Sequence, residues 1–182
     1  YIPIKESTPQ NPLNPYGKSK FMMEQILSDF SDAYGLPSIT LRYFNAAGAD
    51  PECDIGENHQ PETHLIPLIF DALANKKKSI KVFGDDYPTK DGTCIRDYIH
   101  VNDLANAHII ALKSLFKRDY CGFYNVGTGR GHSIFEVIEI CKKVTNLDLN
   151  IEISARREGD SPVLVASPEK IIKDLGWKPL YP

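Results

Sequence analysis

The sequence has 182 residues, of which 42% are hydrophobic and 25% are charged. This composition is that of a folded globular protein, and it excludes intrinsic disorder and a small disulfide scaffold. With 21 basic and 24 acidic side chains the formal charge is -3, so no basic field exists to bind nucleic acid or an anionic membrane. We therefore expect a small-molecule or protein partner.

The cysteines and the apolar segments predict the environment of the protein. Scattered thiols without a C-x-x-C pair are typical of reduced, cytoplasmic proteins, and the four here are Cys53, Cys94, Cys121 and Cys141. Apolar runs such as 109–112 are far shorter than the roughly 20 residues that a membrane span needs. The chain starts at Tyr1 without a methionine, and we expect it to be part of a longer protein.

The predicted elements begin with a well-delimited helix. Asn14 is a favourable N-cap, Pro15 suits the first helical position, and Gly35 followed by Pro37 ends the helix. The pattern then predicts a strand at 38–44, a polar loop at 45–64, a helix at 65–75, a strand at 80–83, a helix at 103–116, a strand at 123–126, a helix from 133, strands at 149–153 and 163–165, and a helix from 167 to 176.

Two local signals and the order of the elements complete the prediction of the fold. Ser133 and Glu136 have the spacing of a capping box, and the lysines at 76–78 suit the solvated C-terminus of a helix. Strands that alternate with helices predict an α/β protein, whose ligands lie at the carboxyl ends of its parallel strands.

The first candidate for chemistry is the pair Tyr16 and Lys20. Positions i and i+4 share one face of a helix, so a phenol would lie beside an ammonium group. Such a cation favours the phenolate, which is the form that acts as a general base. The alternative is a solvated first helical turn, because Tyr1 and Lys5 have the same spacing by chance around Pro3.

The arginines are the second candidate, because guanidinium groups bind phosphates in a bidentate manner. Arg96, Arg156 and Arg157 lie in predicted loops or at strand edges with acidic neighbours. Ion pairing at the protein surface is the alternative interpretation.

Two further segments carry weaker signals. The glycine-rich segment 127–131 could bind a phosphate, but it does not match G-x-G-x-x-G, and we prefer a tight turn between strand and helix. The loop from Cys53 to His64 contains metal-ligand residue types without a recognised spacing, so we predict no metal site.

Five segments together carry a resemblance to a known family. They are Asn14-Pro-Tyr-Gly-Lys-Ser-Lys20, Leu41-Arg-Tyr-Phe-Asn45, Phe83-Gly-Asp-Asp-Tyr-Pro-Thr89, Asp91-Gly-Thr-Cys-Ile-Arg-Asp-Tyr-Ile-His-Val101 and Arg156-Arg-Glu-Gly-Asp160. In order and spacing the chain resembles the UDP-glucose 4-epimerases, within the extended short-chain dehydrogenase/reductase superfamily. The resemblance runs from end to end.

The resemblance implies roles for the residues of the reaction. Tyr16 would take the proton from the sugar 4-hydroxyl while hydride leaves C4 for NAD, and Lys20 would bind the nicotinamide ribose. Tyr43 would contact the cofactor. The substrate would contact Phe44, Asn45, His64, Leu65, Val82, Phe83, Arg96, Arg157, Asp160 and Leu164.

Within that set the resemblance implies which part of the UDP-sugar each residue contacts. Arg96 and Arg157 would bind the diphosphate, Asp160 would lie near the uridine ribose, and Val82 and Phe83 would lie beside the uracil. The sequence departs from the family at two positions. His64 stands where an asparagine is often found, and Leu164 stands where many members carry a tyrosine that limits the size of the sugar.

The implied fold is the C-terminal part of an NAD-binding, Rossmann-like doubly wound sheet together with a smaller α/β domain for the UDP-sugar. Residues 1–46 and 98–127 would belong to the first, and residues 47–97 and 128–182 to the second. The family's glycine-rich NAD loop has no counterpart here, so we expect these 182 residues alone to be inactive. The full-length protein would be a homodimer, as is usual in the family.

Three functions stay open at this point. The leading one is the interconversion of UDP-galactose and UDP-glucose, with acceptance of N-acetylated hexosamines as a further hypothesis. Another nucleotide-sugar enzyme of the same superfamily, such as a 4,6-dehydratase, is the alternative among enzymes. A redox-inactive module that binds UDP-sugars is the alternative outside them.

Overall fold

The computed structural model describes residues 2–75, 79–117 and 121–181, so the predicted lysine cluster at 76–78 lies outside the described residues. The helices are α1 (Pro15–Tyr34), α2 (Leu65–Ala74), α3 (Val101–Leu115), α4 (Ile134–Thr145) and α5 (Glu169–Leu175). The strands are β1 (Ser38–Tyr43), β2 (Asn45–Ala47), β3 (Ser79–Phe83), β4 (Ile95–Arg96), β5 (Tyr98–His100), β6 (Cys121–Val126), β7 (His132–Ser133), β8 (Asn150–Ser154) and β9 (Val163–Leu164).

The helix ends follow the signals in the sequence. Asn14 Oδ1 accepts a hydrogen bond from Gly17 N at 2.8 Å, which satisfies one of the unpaired N–H groups at the start of α1. Gly35 ends α1 in the left-handed region, with φ 66°. The capping box of α4 is present, since Glu136 N donates to Ser133 Oγ and Ser133 N donates to Glu136 Oε2. These predictions are confirmed.

The chain divides into two compact units, and the first consists of residues 1–48, 97–130 and 165–182. Its β1 and β6 pair in parallel, with Ser38 opposite Cys121 and Tyr43 opposite Val126. Strands β2 and β5 also pair in parallel. Because parallel strands end at the same edge, the residues that follow β1 lie where ligands of α/β sheets bind. The core of this unit is formed by Ile99, Ala107, Tyr124, Val126, Ile171 and Trp177.

The second unit consists of residues 49–96 and 131–164. Strands β3 and β8 pair in parallel, and β4 lies between β7, to which it is antiparallel, and β9, to which it is parallel. Helices α2 and α4 pack against one another. The inward residues of β3, Ile80 and Val82, are buried while Lys81 between them is exposed, as the alternation of a strand requires.

The C-terminal segment packs differently from the sequence-based division. The sequence-based division assigned all of 128–182 to the smaller domain, but 165–182 belongs to the first unit. Ile4 pairs with Ala166 as a parallel bridge, and the Trp177 indole donates to Asp103 O at 3.0 Å. The apolar side chains of α5 and Trp177 therefore complete the core around Tyr124.

The sequence analysis missed four strands, β2, β4, β5 and β7. Each is two or three residues long. Such segments carry no measurable alternation, and they become strands only because distant segments supply their hydrogen-bond partners.

The segment after β6 is a turn held by a buried carboxylate. Asp97 is fully buried, and its two oxygens accept from Thr128 N, Thr128 Oγ1, Gly129 N and Ala166 N. A Cβ at Gly127 would come within 2.6 Å of Asp97 Oδ2, so only glycine fits there. The N–H groups that a phosphate would need are thus bound to Asp97, which favours the turn over a phosphate site.

Among the described residues, no helix combines the length and the apolar character that crossing a bilayer requires.

Candidate active site

The first turns of α1 present Tyr16 and Lys20 on one face. The Lys20 ammonium lies 5.3 Å from the centre of the Tyr16 ring. The tyrosine side chain is 71% exposed, and no described residue bonds to its hydroxyl. The structure therefore brings the predicted phenol and cation together and leaves both accessible to a ligand.

The end of β1 presents the next group of predicted residues. Tyr43 is 53% exposed, and its ring lies 6.2 Å from that of His108. Phe44 N donates to Val126 O at 3.2 Å, and Asn45 N donates to Asp97 O at 3.0 Å. Backbone hydrogen bonds therefore hold this strand end, and the side chains of Tyr43 and Asn45 remain exposed.

An ion pair connects α1 to β1. Arg42 donates through Nε to Glu24 Oε1 at 2.7 Å and through Nη2 to Oε2 at 2.6 Å, and Gln10 Nε2 donates to Oε2 at 2.9 Å. Burial alone would raise the pKa of Glu24, but the hydrogen bonds from Arg42 and Gln10 and the charge of Arg42 outweigh it and hold the pKa below its ordinary value.

In the second unit, Arg157 lies on the face of Phe83. The guanidinium carbon is 3.8 Å from the ring centre, which is a close cation–π contact. Val82, the preceding residue of β3, is buried. No acidic side chain among the described residues pairs with Arg157, so its N–H donors are available to an anion.

The side chain of the neighbouring Arg156, in contrast, is bound by other residues of the same unit. Its guanidinium lies 4.3 Å from the centre of the Tyr87 ring, and its Nε donates to Asp86 Oδ1 at 2.6 Å. The hydrogen bond to Asp86 raises the pKa of Arg156, and the same bond lowers the pKa of Asp86. The alternative interpretation from sequence, a surface ion pair, thus describes Arg156 and not Arg157.

Arg96 and Leu164 pair in the three-stranded sheet, and Asp160 lies in the loop that precedes β9. Arg96 donates through Nη1 to Ile95 O at 3.0 Å and to Ser161 O at 2.8 Å, and its Nη2 lies 3.4 Å from Asp160 Oδ1. Leu164 is the β9 partner of Arg96. The arginine is oriented by two carbonyl groups and by the longer contact with Asp160.

His64 and Leu65 lie at the start of α2. His64 Nδ1 is 2.8 Å from Glu57 Oε1 and 2.9 Å from Glu62 Oε1. Hydrogen bonds from His64 N and Thr63 N lower the pKa of Glu62. The ligand atoms of His59, Glu62 and His64 lie within 4.8 Å of one another. The hydrogen bonds to Glu62 account for this cluster without an ion, and the absence of a metal site stays a prediction.

Sequence reasoning missed Glu24, Arg42 and Asp97. Glu24 could have been singled out by its spacing, because it follows Lys20 by four residues along the helix that carries Tyr16. Nothing in the sequence shows that Arg42 is its partner or that Asp97 accepts four hydrogen bonds.

Residues 1–127 match the model of the NAD dependent epimerase/dehydratase family. The chain belongs to this family. It is 51% identical, over 100% of its length, to the UDP-glucose 4-epimerase of Halalkalibacterium halodurans, of which it covers 54%. The chain therefore spans about half the length of the curated relatives that it matches.

Solved structures of the family share the fold. The UDP-glucose 4-epimerase of Brucella ovis in complex with NAD matches with a TM-score of 0.94 and 47% identity, over 100% of this chain and 56% of that one. The UDP-Glc/GlcNAc 4-epimerase of Campylobacter jejuni matches with a TM-score of 0.76 and 44% identity, over 98% of this chain and 54% of that one. The predicted Rossmann-like α/β fold is confirmed.

Proposed function

We propose that the complete protein containing this chain is a UDP-glucose 4-epimerase, which interconverts UDP-galactose and UDP-glucose. The observation that carries the proposal is the 51% identity, over the whole chain, to an enzyme of that name. The exposed pair Tyr16 and Lys20, and Arg157, which has no acidic partner among the described residues, would supply the acid–base group and the anion site that this reaction needs.

NAD fits the residues that the chain offers. Tyr16 and Lys20 present hydrogen-bond donors on an exposed face, and Tyr43 lies exposed at the carboxyl end of a parallel strand. These three residues would hold the nicotinamide and its ribose. The sequence has no G-x-x-G-x-x-G segment, and we propose that residues outside it bind the diphosphate of NAD. When bound, NAD would take up and return the hydride at C4.

Tyr16 would move the proton of the reaction. As the phenolate it would accept the proton of the sugar 4-hydroxyl, and the adjacent Lys20 ammonium would stabilise the negative charge on the phenolate oxygen. The same hydroxyl would return the proton once the sugar presents its other face. Inversion at C4 therefore needs a nucleotide that is firmly held and a sugar that can turn.

The second unit would hold the nucleotide. Arg157, fixed on Phe83, would bind the diphosphate together with Arg96. Asp160 would bind the uridine ribose, and Val82 and Phe83 would lie beside the uracil. His64, Leu65, Phe44 and Asn45 would contact the remainder of the UDP-sugar. This division would make the larger unit the NAD-binding domain and the smaller unit the UDP-sugar domain.

Conversion of UDP-galactose to UDP-glucose by the complete protein with added NAD tests the proposal. Chromatography of the nucleotide sugars should show the equilibrium mixture of the two. A 4-keto-6-deoxy product would instead indicate a 4,6-dehydratase. Saturable UDP binding without turnover would indicate a redox-inactive binding module, and the absence of both would overturn the site assignment.

Leu164 favours a second substrate class, the N-acetylated UDP-hexosamines. Its aliphatic side chain stands where many epimerases carry a tyrosine, and it lies opposite Arg96 in the sheet. A relative at 44% identity is named for both UDP-Glc and UDP-GlcNAc.

We expect Leu164→Tyr to lower the turnover of UDP-N-acetylglucosamine by at least about tenfold, because a larger side chain removes room for the acetamide. Turnover of UDP-galactose should persist, and it is the control in the same chromatographic assay. Equal failure of wild type and variant on the N-acetylated sugar would contradict the hypothesis.

We further propose a homodimer that works in the cytoplasm. Four exposed apolar side chains of α1 support the dimer, and they are Met22, Met23, Ile26 and Phe30. The four free cysteines support a reducing compartment. Sedimentation equilibrium of the complete protein should give twice the mass of its polypeptide, and a single-chain mass would contradict the dimer. Recovery of the protein outside the cytoplasmic fraction of cells would contradict the location.

A further inference from the structure

Helix α1 is attached to its unit through a carboxylate. Among its 20 residues only Glu24 is buried, although the helix carries several large apolar side chains. Amphipathic helices usually pack through an apolar stripe. Phe21 and Leu27 of this helix are half-buried. The helix that carries Tyr16 and Lys20 therefore has one fully buried anchor, Glu24, whose partner Arg42 lies in β1.

The pair has the geometry of a bidentate fork. Both carboxylate oxygens of Glu24 accept from Arg42, and the two side chains are only 11% and 21% exposed. A guanidinium group binds a carboxylate in one plane through two parallel hydrogen bonds, so it sets the direction as well as the distance between the two chains. Gln10 adds a third hydrogen bond to the same carboxylate.

Arg42 is itself fixed on its other side. Its guanidinium lies 5.1 Å from the centre of the Phe123 ring, on the neighbouring strand β6. Its Nη1 lies 3.5 Å from Glu6 O, and the Glu6 side chain accepts from Asn125 N. The contacts with β6 fix the position of Arg42, and through Glu24 the position of Arg42 fixes that of helix α1.

Each partner is adjacent to one part of the proposed site. Tyr16, Lys20 and Glu24 follow one another at intervals of four residues along α1, so Glu24 lies about 12 Å along the axis from Tyr16 and is turned from the exposed face towards β1, where it is buried. Arg42 directly precedes Tyr43, where β1 ends. The ion pair thus joins the helix that carries Tyr16 and Lys20 to the strand end that would contact cofactor and substrate.

The cost of burial argues against stability as the only role. A buried ion pair loses hydration, and well-packed apolar residues at such sites often give equal or greater stability. Two apolar side chains, however, can slide over one another, whereas the fork allows one arrangement.

We propose that Glu24 and Arg42 are positioning residues of the epimerase reaction, which hold Tyr16 and Lys20 in register with the end of β1. The proposal rests on the function proposed above. Neither residue touches substrate or cofactor, and both act through the placement of Tyr16.

The test compares three variants of the complete protein. In Glu24→Gln one amide N–H₂ faces the guanidinium N–H₂, so the fork is lost, and in Arg42→Lys the charge remains without the second hydrogen bond. Glu169→Gln is the matched control, because it removes the exposed ion pair between Lys5 and Glu169 in the same unit.

We expect kcat to fall by about tenfold or more in both pair variants, because small misplacements of a catalytic group are costly. The Kd for UDP and the KM for UDP-galactose should stay within about twofold of wild type, since the nucleotide contacts are intact. The control should match wild type. The kcat values are calculated per UDP-binding site, so that unfolded protein does not lower them. Hydrogen exchange of the α1 amides measures the attachment of the helix independently of activity.

The outcomes separate the two proposals. Wild-type kcat in both pair variants, with wild-type protein active, overturns the positioning role alone. An equal loss of kcat per site in the control overturns it as well. If Glu24→Gln does not fold, Arg42→Lys decides, and an unchanged kcat there overturns the role. Absence of turnover in the wild-type protein overturns the proposed function and the positioning role with it.

Discussion

Replacement of Tyr16 by phenylalanine should lower kcat of the complete protein for UDP-galactose by about 10²- to 10⁴-fold, which is the usual contribution of a general acid–base group. The ring would stay on the exposed face of α1, and only the hydroxyl that we propose to take and return the proton would be lost. No described residue bonds to that hydroxyl, so the fold and the thermal midpoint should not change. Chromatographic turnover and thermal unfolding measure the two effects.

Tyr34→Phe is the matched control for this prediction. Tyr34 lies at the other end of the same helix and is 78% exposed, so its hydroxyl is equally accessible and far from the proposed site. We expect wild-type kcat in this control and an unchanged Kd for UDP in both variants. Undiminished turnover in Tyr16→Phe would show that another group moves the proton.

Replacement of Arg157 by glutamine should weaken UDP binding by about ten- to a hundredfold, because hydrogen bonds to a charged partner contribute about 1.5–3 kcal/mol. The side chain is stacked on Phe83 and has no acidic partner among the described residues, so its donors can bind an anionic ligand. Isothermal titration with UDP measures the affinity. The affinity of the wild-type protein should fall with added salt, and that of the variant should fall less.

Arg156→Gln provides the matched control at the adjacent position. Its guanidinium is bound to Asp86 and stacked on Tyr87, so we expect the affinity for UDP to stay within about twofold of wild type. An equal loss of affinity in both variants would contradict the assignment of the diphosphate to Arg157. Unchanged affinity in Arg157→Gln would contradict it directly.

Much of the fold was predictable from local signals. Asn14, Pro15 and Gly35 delimit α1 by their own backbone preferences, and Ser133 with Glu136 begins α4 as a capping box. Such signals act within a few residues, so they do not depend on the rest of the chain. The packing of 165–182 with the first unit was not predictable, because Trp177 and α5 are equally compatible, by local pattern, with either unit.

The candidate site also contains residues that the sequence could single out and residues that only the fold could distinguish. Tyr16 and Lys20 could be singled out from the sequence because one helical turn brings positions i and i+4 together. Arg156 and Arg157 are indistinguishable in the sequence, and only the fold places Asp86, which is 70 residues away, against the first of them. Whether the assigned residues perform their proposed roles remains a prediction.

The sequence by itself determined the helix limits, the longer strands and the face that carries Tyr16 and Lys20, because each depends on neighbours within a turn of helix or a few residues of strand. Only the tertiary structure decided which charges are paired. The fork between Glu24 and Arg42, the four donors around Asp97 and the stacking of Arg157 on Phe83 all depend on segments far apart in the chain. Pairing of charges is set by distances of a few ångströms, and only the folded chain establishes those distances.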